Sequence, residues 1–487
     1  MITPSDLVSH IERLSHAKIL CVGDLMLDRF VYGDVERTSP EAPVPVLTIE
    51  RQSAMLGGVG NVARNLISLG ARATLLSVVG DDEVGRILTQ LVGEEKRIEP
   101  HLLVGPGRRS TEKTRFLAGS QQLLRSDLET RKPIGERTAE NLLRMAEDIV
   151  PQCDVLVLSD YAKGVLTDDL CRALIGCARK ASKPVVVDPK GQDFSRYSGA
   201  SIITPNRQEL GLAVGVPVET ENEIIAAGKA LISELAVDSL LITRSQNGMT
   251  LLTADGRSEH LAAQAREVFD VSGAGDTVVA TLASALANGV GAGEASALAN
   301  LAASVVVAKS GTAVVYAADL LHAVRAAELS SSEAKIVPLT TALESVAKWH
   351  TAGHTVGFTN GCFDLLHPGH ISLLRQSKNS CGRLIVGLNS DSSVRRLKGE
   401  DRPIQPESAR AQVLASLEIV DLVVIFSEDT PIDMISAIRP DVLIKGGDYT
   451  LEQVVGANIV QEHGGKVLLA KTEPGFSTSD TIARLQR

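Results

Sequence analysis

No two cysteines in this chain stand at C-x-x-C spacing, and six of them (Cys21, Cys153, Cys171, Cys177, Cys362, Cys381) in 487 residues would make a poor disulfide framework. A reducing cytoplasm is the compartment that fits. A long apolar run is also lacking. The most membrane-like stretch, TVVATLASALANGVGAGEASALANLAASVVVAK, is rich in alanine and glycine and is broken by Glu294. It falls short of the ~20 strongly apolar residues a span requires, so no membrane partner is expected. The N-terminal MITPSDLVSHIERL has a helical pattern and no apolar h-region, so it is not read as a secretory signal. Excess positive charge is missing too. A net charge of −10 argues against nucleic acid as a main partner, while local basic clusters stay available for small phosphorylated ligands. There is no internal repeat and no low-complexity tract.

What is present is ordinary globular composition, 44% hydrophobic and 22% charged, in a chain too long for one core. Two or three domains are expected. Short apolar runs alternate with helical stretches: AKILCVGDL, ATLLSVVGD, CDVLVLSDY, KPVVVDPKG and SLLITRSQNG. Each has the length of a buried parallel strand and ends in Gly, Asp or Ser, where α/β proteins place ligands. The fold class is α/β. One stretch departs from this: RFVYGDVERTSPEAPVPVLTIERQSAML has three prolines and no helical period, and predicts a small β-element outside the main sheet. The polar, turn-like LSSSEAK at Leu329–Lys335 precedes a new helix and strand. It divides the chain into a domain over 1–328, a linker and first helix over 329–345, and a domain over 346–487.

Near the end of the first domain stands DVSGAGDT, Asp270–Thr277. Its glycines let backbone N–H groups approach an anion, and the apolar segment behind it makes a helix whose N-terminus favours negative charge. Asp276 beside that site can deprotonate a hydroxyl as it attacks a γ-phosphate. A helix N-cap after a glycine turn is the bland alternative. GGVGNVARNL at Gly57–Leu66 is a second glycine turn opening a helix, and VGDLMLDRF puts Asp24 at a strand end.

With TPNRQEL and DPKG, these motifs occur in the order of the ribokinase-like sugar kinases, which residues 1–325 resemble. The resemblance implies that Asp276 is the catalytic base and that Gly273, Ala274 and Gly275 form the anion hole. It also implies that Asp24, Gly57, Gly58 and Asn61 hold sugar hydroxyls. Asn206, Arg207, Gln208 and Glu209 match the family's N-x-x-E element, linked to ATP use, with Glu209 reaching Mg²⁺ through water. Read alone, Asn206 and Glu209 are an N-cap and N3 pair, a capping box. The proline-rich element resembles the β lid that covers the sugar and builds a homodimer.

The later part carries TNGCFDLLHPGH, Thr359–His370. His367 and His370 are three apart, so at a helix start they share a face, with proline suited to the first turn. Two imidazoles there can donate hydrogen bonds to phosphates as charge builds on the α-phosphorus. A metal is disfavoured, because no cysteine or carboxylate falls at zinc spacing on that helix. Cys362 reads as a packed residue with no base beside it. GCFDLLHPGH resembles the signature of cytidylyltransferase-like nucleotidyltransferases, a Rossmann-like domain. The resemblance gives Phe363 and Asp364 the shaping of the loop. Arg395, Arg396, Lys398 and Arg402 in SVRRLKGEDRPI, and Lys445 in KGGDY, are basic candidates for triphosphate or sugar phosphate. A solvated basic face is the default for such a run. Relatives end in a triphosphate-contacting segment that here reads FSTSDTIARL. It keeps Ser477 and Thr478 but has Ile482 where an arginine is usual.

The two halves together resemble the bifunctional heptose kinases and heptose-phosphate adenylyltransferases of lipopolysaccharide core synthesis. That resemblance implies ATP-dependent phosphorylation of D-glycero-D-manno-heptose 7-phosphate at C1, removal of the C7 phosphate by another enzyme, and adenylyl transfer giving ADP-heptose. A 7-phosphate needs an anion pocket, for which Arg108, Arg109, Lys113, Arg115, Arg125 and Lys190 are candidates. A different sugar kinase fused to another transferase, and a regulatory protein without turnover, are the alternatives.

Overall fold

The structure, a computed structural model, describes residues 4–119, 121–263, 271, 273–309, 313–446 and 450–471. It divides into two compact units, Met1–Val324 and Arg325–Arg487.

The strands of the first unit are, in chain order, β1 (Lys18–Gly23), β2 (Leu25–Thr38), β3 (Pro45–Gly58), β4 (Arg72–Gly80), β5 (Ile98–Gly105), β6 (Thr111–Ala118), β7 (Gln121–Leu128), β8 (Val155–Ser159), β9 (Val185–Asp188), β10 (Ile202–Ile203), β11 (Ser239–Thr243), β12 (Met249–Thr253) and β13 (Ser258–Leu261). Nine form one sheet in the order β13-β12-β11-β10-β9-β8-β1-β4-β5. It is parallel from β11 to β5, and β12 and β13 add an antiparallel edge. The five apolar runs read from the sequence are β1, β4, β8, β9 and β11. Their side chains enter two hydrophobic clusters, as strands buried on both faces must. Gly23 ends β1 because a Cβ there would lie 2.0 Å from the Ser159 carbonyl oxygen. The register aligns Gly23 with Ser159 and Ser159 with Asp188. Asp24, Asp160 and Asp188 therefore gather at the carboxyl ends of three neighbouring strands.

The remaining four strands make a second sheet, β3-β2-β6-β7. The proline-rich stretch is its β2–β3 hairpin, with Pro40 and Pro43 in the turn and Pro45 opening β3, positions that do not sacrifice an interior N–H. Parallel pairing of β2 with β6 sets Asp28 opposite Lys113.

In the second unit, the stretch Leu329–Lys335 is not a turn along its whole length: the helix Ala317–Glu333 runs through most of it. Leucine, alanine and glutamate favour helix, and serine costs only ~0.5 kcal/mol per residue there. The strands β14 (Val356–Gly361), β15 (Arg383–Asn389), β16 (Leu422–Phe426), β17 (Val442–Gly446) and β18 (Lys466–Ala470) form a parallel sheet in the order β16-β15-β14-β17-β18. The chain winds outward in both directions from β14, which puts the ligand crevice at its carboxyl end. Behind that crevice Arg410 is wholly buried. It donates to the carbonyls of Cys362 (2.6 Å), Asn389 (2.8 Å) and Gln405 (3.0 Å) and to Asp391 (2.6 Å). Among the described residues, no helix is long and apolar enough to cross a membrane.

Candidate active sites

The first site lies over β1, β8 and β9. Gly273, at φ 80°, caps the helix Ala274–Ala287, and Asp276 falls in its first turn. The Asp276 carboxylate is buried and held on both sides: Asn61 Nδ2 donates to Oδ2 at 2.7 Å and the Tyr161 hydroxyl to Oδ1 at 2.7 Å. Burial pushes its pKa up to about 6, against those two hydrogen bonds, while Asp28 raises it and Lys113 lowers it. Beside it a cleft of about 200 Å³ is lined by Gly275, Tyr161, Asp188, Lys190, Asn206 and Glu209, among others. Burial, then Asp276 and Glu209, push Asp188 well above the usual carboxylate range.

The expected residues divide. Asn61 is joined to Asp276 and Gly275 lines the cleft, and the Asn61 Oδ1 atom is buried without a partner among the described residues. Gly57 admits a close approach, since a Cβ there would lie 2.2 Å from Asp28 Oδ2, and Gly58 has φ +59° at the start of the following helix. Asp24 requires a correction. It is buried, and its oxygens accept the backbone N–H groups of Tyr161, Lys163 and Val165, each at 3.0 Å, so it holds a loop where a sugar contact was expected. Asn206 and Glu209 form the capping box, and Glu209 also binds Lys190 Nζ at 2.7 Å. Lys190, expected at the sugar, is thus paired with this carboxylate. Arg207 and Gln208 are exposed and do not line the cleft. Sequence reading passed over Asp28, which binds Arg115 at 2.6 Å, and Tyr161, whose ring lies 5.5 Å from Lys113 Nζ. Asp28 lies in VGDLMLDRF and Tyr161 ends CDVLVLSDY, and only the pairing of β2 with β6 brings Asp28 to the site.

The second site forms where β14 ends. His367 caps the helix Pro368–Asn379, with Pro368 at its first position. The imidazoles of His367 and His370 stack with centroids 3.7 Å apart, and Phe363, buried at φ 43°, lies 5.1 Å from His370. Burial, with the His367 ring adding to it, pushes His370 down to about 4, and burial lowers His367 as well. Burial thus favours the neutral form of both rings. Their Nδ1 atoms are buried without partners among the described residues.

The adjoining cleft, about 510 Å³, is lined by Phe363, His370, Lys398, Arg402 and Lys445, among others. Lys445 Nζ donates to Asn360 Oδ1 at 2.9 Å. Asp364 shapes the loop by accepting from Arg402 (2.5 Å) and from the N–H groups of Ile404 and Gln405. The basic run splits: Lys398 faces the cleft, Arg396 pairs with Asp429 at 2.7 Å, and Arg395 is exposed away from the lining. Helical periodicity turns Arg396 and Lys398, two positions apart, to different sides. Ser477, Thr478 and Ile482 lie outside the described residues. Among the described residues no cluster of His, Cys, Asp and Glu is arranged to hold a metal by itself.

Residues 16–318 match the model for pfkB family carbohydrate kinases, and residues 358–484 match that for cytidylyltransferase-like proteins. Bifunctional protein HldE of Paramagnetospirillum magneticum is 56% identical, over 99% of each chain. Its counterpart in Rhodospirillum rubrum is 54% identical, over 99% of this chain and 97% of its own. In fold, the chain is similar to Arabidopsis thaliana ribokinase (20% identity, TM-score 0.51, 63% of this chain and 99% of that one). It is similar also to Escherichia coli phosphofructokinase-2 (18% identity, TM-score 0.54, 64% and 98%). Fold and sites define a class of bifunctional enzyme, a sugar kinase joined in one chain to a nucleotidyltransferase. Within that class, the chain belongs to the family of bifunctional HldE proteins.

Proposed function

We propose that the first unit phosphorylates D-glycero-D-manno-heptose 7-phosphate at C1 and that the second adenylylates heptose 1-phosphate, supplying ADP-heptose for lipopolysaccharide core. The observation that carries this is the pairing, in a chain similar along its full length to bifunctional HldE proteins, of a buried aspartate at a helix N-terminus with a stacked histidine pair at another.

In the kinase, Asp276 takes the proton of the C1 hydroxyl as that oxygen attacks the γ-phosphorus of ATP and ADP departs. The N–H groups of Gly273 and Gly275 meet the transferring charge, that of Ala274 being given to the Val271 carbonyl at 3.2 Å. Asn61 and Asp28 face the sugar. Lys113, opposite Asp28 and beside Tyr161, takes the C7 phosphate, while Arg115, Arg125 and Lys190 pair with Asp28, Asp127 and Glu209. Mg²⁺ accompanies ATP and neutralises phosphate charge. Asp188, raised in proton affinity by burial and then by Asp276 and Glu209, and Glu209 through water would hold it, and the cation would offset the gathered negative charge.

In the transferase, a phosphate oxygen of heptose 1-phosphate attacks the α-phosphorus of ATP, and the bond to pyrophosphate breaks. His367 and His370 donate N–H groups to the phosphates, while Lys398 and Lys445 supply positive charge. Ser477 and Thr478 add hydroxyls by the family pattern. The enzyme works in the cytoplasm as a homodimer joined through the β2–β3 and β6–β7 lid.

Phosphorus NMR with Mg·ATP and heptose 7-phosphate, before and after a C7 phosphatase is added, tests the reading. A new anomeric phosphate, then a diphosphate diester with pyrophosphate, is expected. Consumption of ribose or fructose 6-phosphate in its place would keep the kinase and discard the heptose.

A further inference from the structure

The loop Asp160–Val165 after β8 is clamped from two sides. Asp24 accepts the N–H groups of Tyr161, Lys163 and Val165, each at 3.0 Å. Asp160 accepts that of Ala162 at 2.7 Å and is itself held by the Tyr197 hydroxyl at 2.6 Å and Arg196 at 2.9 Å. Ala162 has φ 53°, which an alanine keeps only where its surroundings over-determine it. At Gly164, φ +90°, a Cβ would lie 2.3 Å from the Lys132 carbonyl oxygen. So constrained, the loop gives Tyr161 one direction, and its hydroxyl meets Asp276 Oδ1 at 2.7 Å.

We propose that Tyr161 is a positioning residue for the kinase: held by the Asp24 clamp, its phenol orients the Asp276 carboxylate and favours its ionised form. Asp24 thereby serves the reaction through the loop. The inference rests on the reading of Asp276 as the base.

A hydroxyl donating to a carboxylate stabilises the anion. Asn61 does the same at the other oxygen, and a carboxylate has about four acceptor positions, so room remains on each oxygen for the substrate hydroxyl. The groups bearing on Asp276 from the surrounding elements are Asp28 on β2, Lys113 on β6 and Asp188 at the end of β9. Asp28 and Asp188 oppose its ionisation and Lys113 assists it. Tyr161 cannot itself be the base. Burial, then Asp276, push loss of its proton far up, so it stays a donor.

The test uses full-length Tyr161→Phe, which removes one oxygen. The acid limb of kinase kcat/KM is expected to move up by about one pH unit, with severalfold loss at pH 6.5 that recovers by pH 8.5. The KM for ATP and the nucleotidyl transfer should hold. Asp24→Asn, which loosens the clamp, should shift the limb the same way and covers the case in which the first variant folds poorly. An unmoved limb in both variants, or a loss equal at every pH, overturns the inference. Asp276→Asn in the same assay separates the two ideas. If the kinase survives it, the base assignment falls; if the kinase is lost while the Tyr161→Phe limb is unmoved, only the positioning role falls.

Discussion

Asp276 and His370 show burial acting in opposite senses on two kinds of group. A carboxylate out of water holds its proton more tightly, and an imidazole holds it less tightly. Asp276, pushed to about 6, must be ionised to act, so kinase kcat/KM should rise through pH 6 and level off above pH 7. Asp276→Asn should remove about 10²–10⁴ of the rate in an ADP-release assay. His370 is neutral far below its ordinary range, and in NMR of the free protein it should titrate near pH 4. Added ATP should move that midpoint upward, since a bound anion favours the protonated ring. The types and positions of these residues were legible in SGAGDT and HPGH. Their proton affinities were not, because they depend first on burial, which packing decides, and for Asp276 also on Asn61, Tyr161, Asp28 and Lys113, which approach from other elements.

At the scale of elements, single close contacts decide which side chains reach a site. Arg410 ties the loop after β14 to the end of β15 and to the helix Asp391–Lys398 through its four bonds. Arg410→Met should cost about 3–5 kcal/mol in the second unit, because it strands Asp391 and three carbonyls. Thermal unfolding should show that loss, with kinase turnover kept. The run SVRRLKGEDRP reads as one basic patch, yet the helix turns Lys398 to the cleft and sends Arg396 to Asp429. Asn206 and Glu209 behave likewise: the capping box seen in the sequence is real, and it coexists with a Lys190 pair that no spacing foretold.

At the scale of the whole molecule, the proposed roles predict two activities that fail separately. Asp276→Asn should abolish only phosphorylation of the sugar, and His370→Ala only pyrophosphate release, with both proteins folded. The proposed dimer gives a third expectation. Leu124 on the lid strand β7 is 59% exposed and Ile49 on β3 is 50% exposed, apolar surface that a partner copy would cover. Leu124→Glu should lower the mass seen by light scattering toward that of one chain.

Sequence by itself determined the α/β class, the presence of a lid hairpin, and two phosphate-handling motifs, because each is written in contiguous residues whose spacing carries the backbone geometry. Tertiary structure alone decided that Asp24 clamps a loop, that Tyr161 and Asn61 share Asp276, and that Lys190 pairs with Glu209. Those pairings join residues as much as 215 positions apart. They are set by strand order and register, and no local pattern in the chain encodes them.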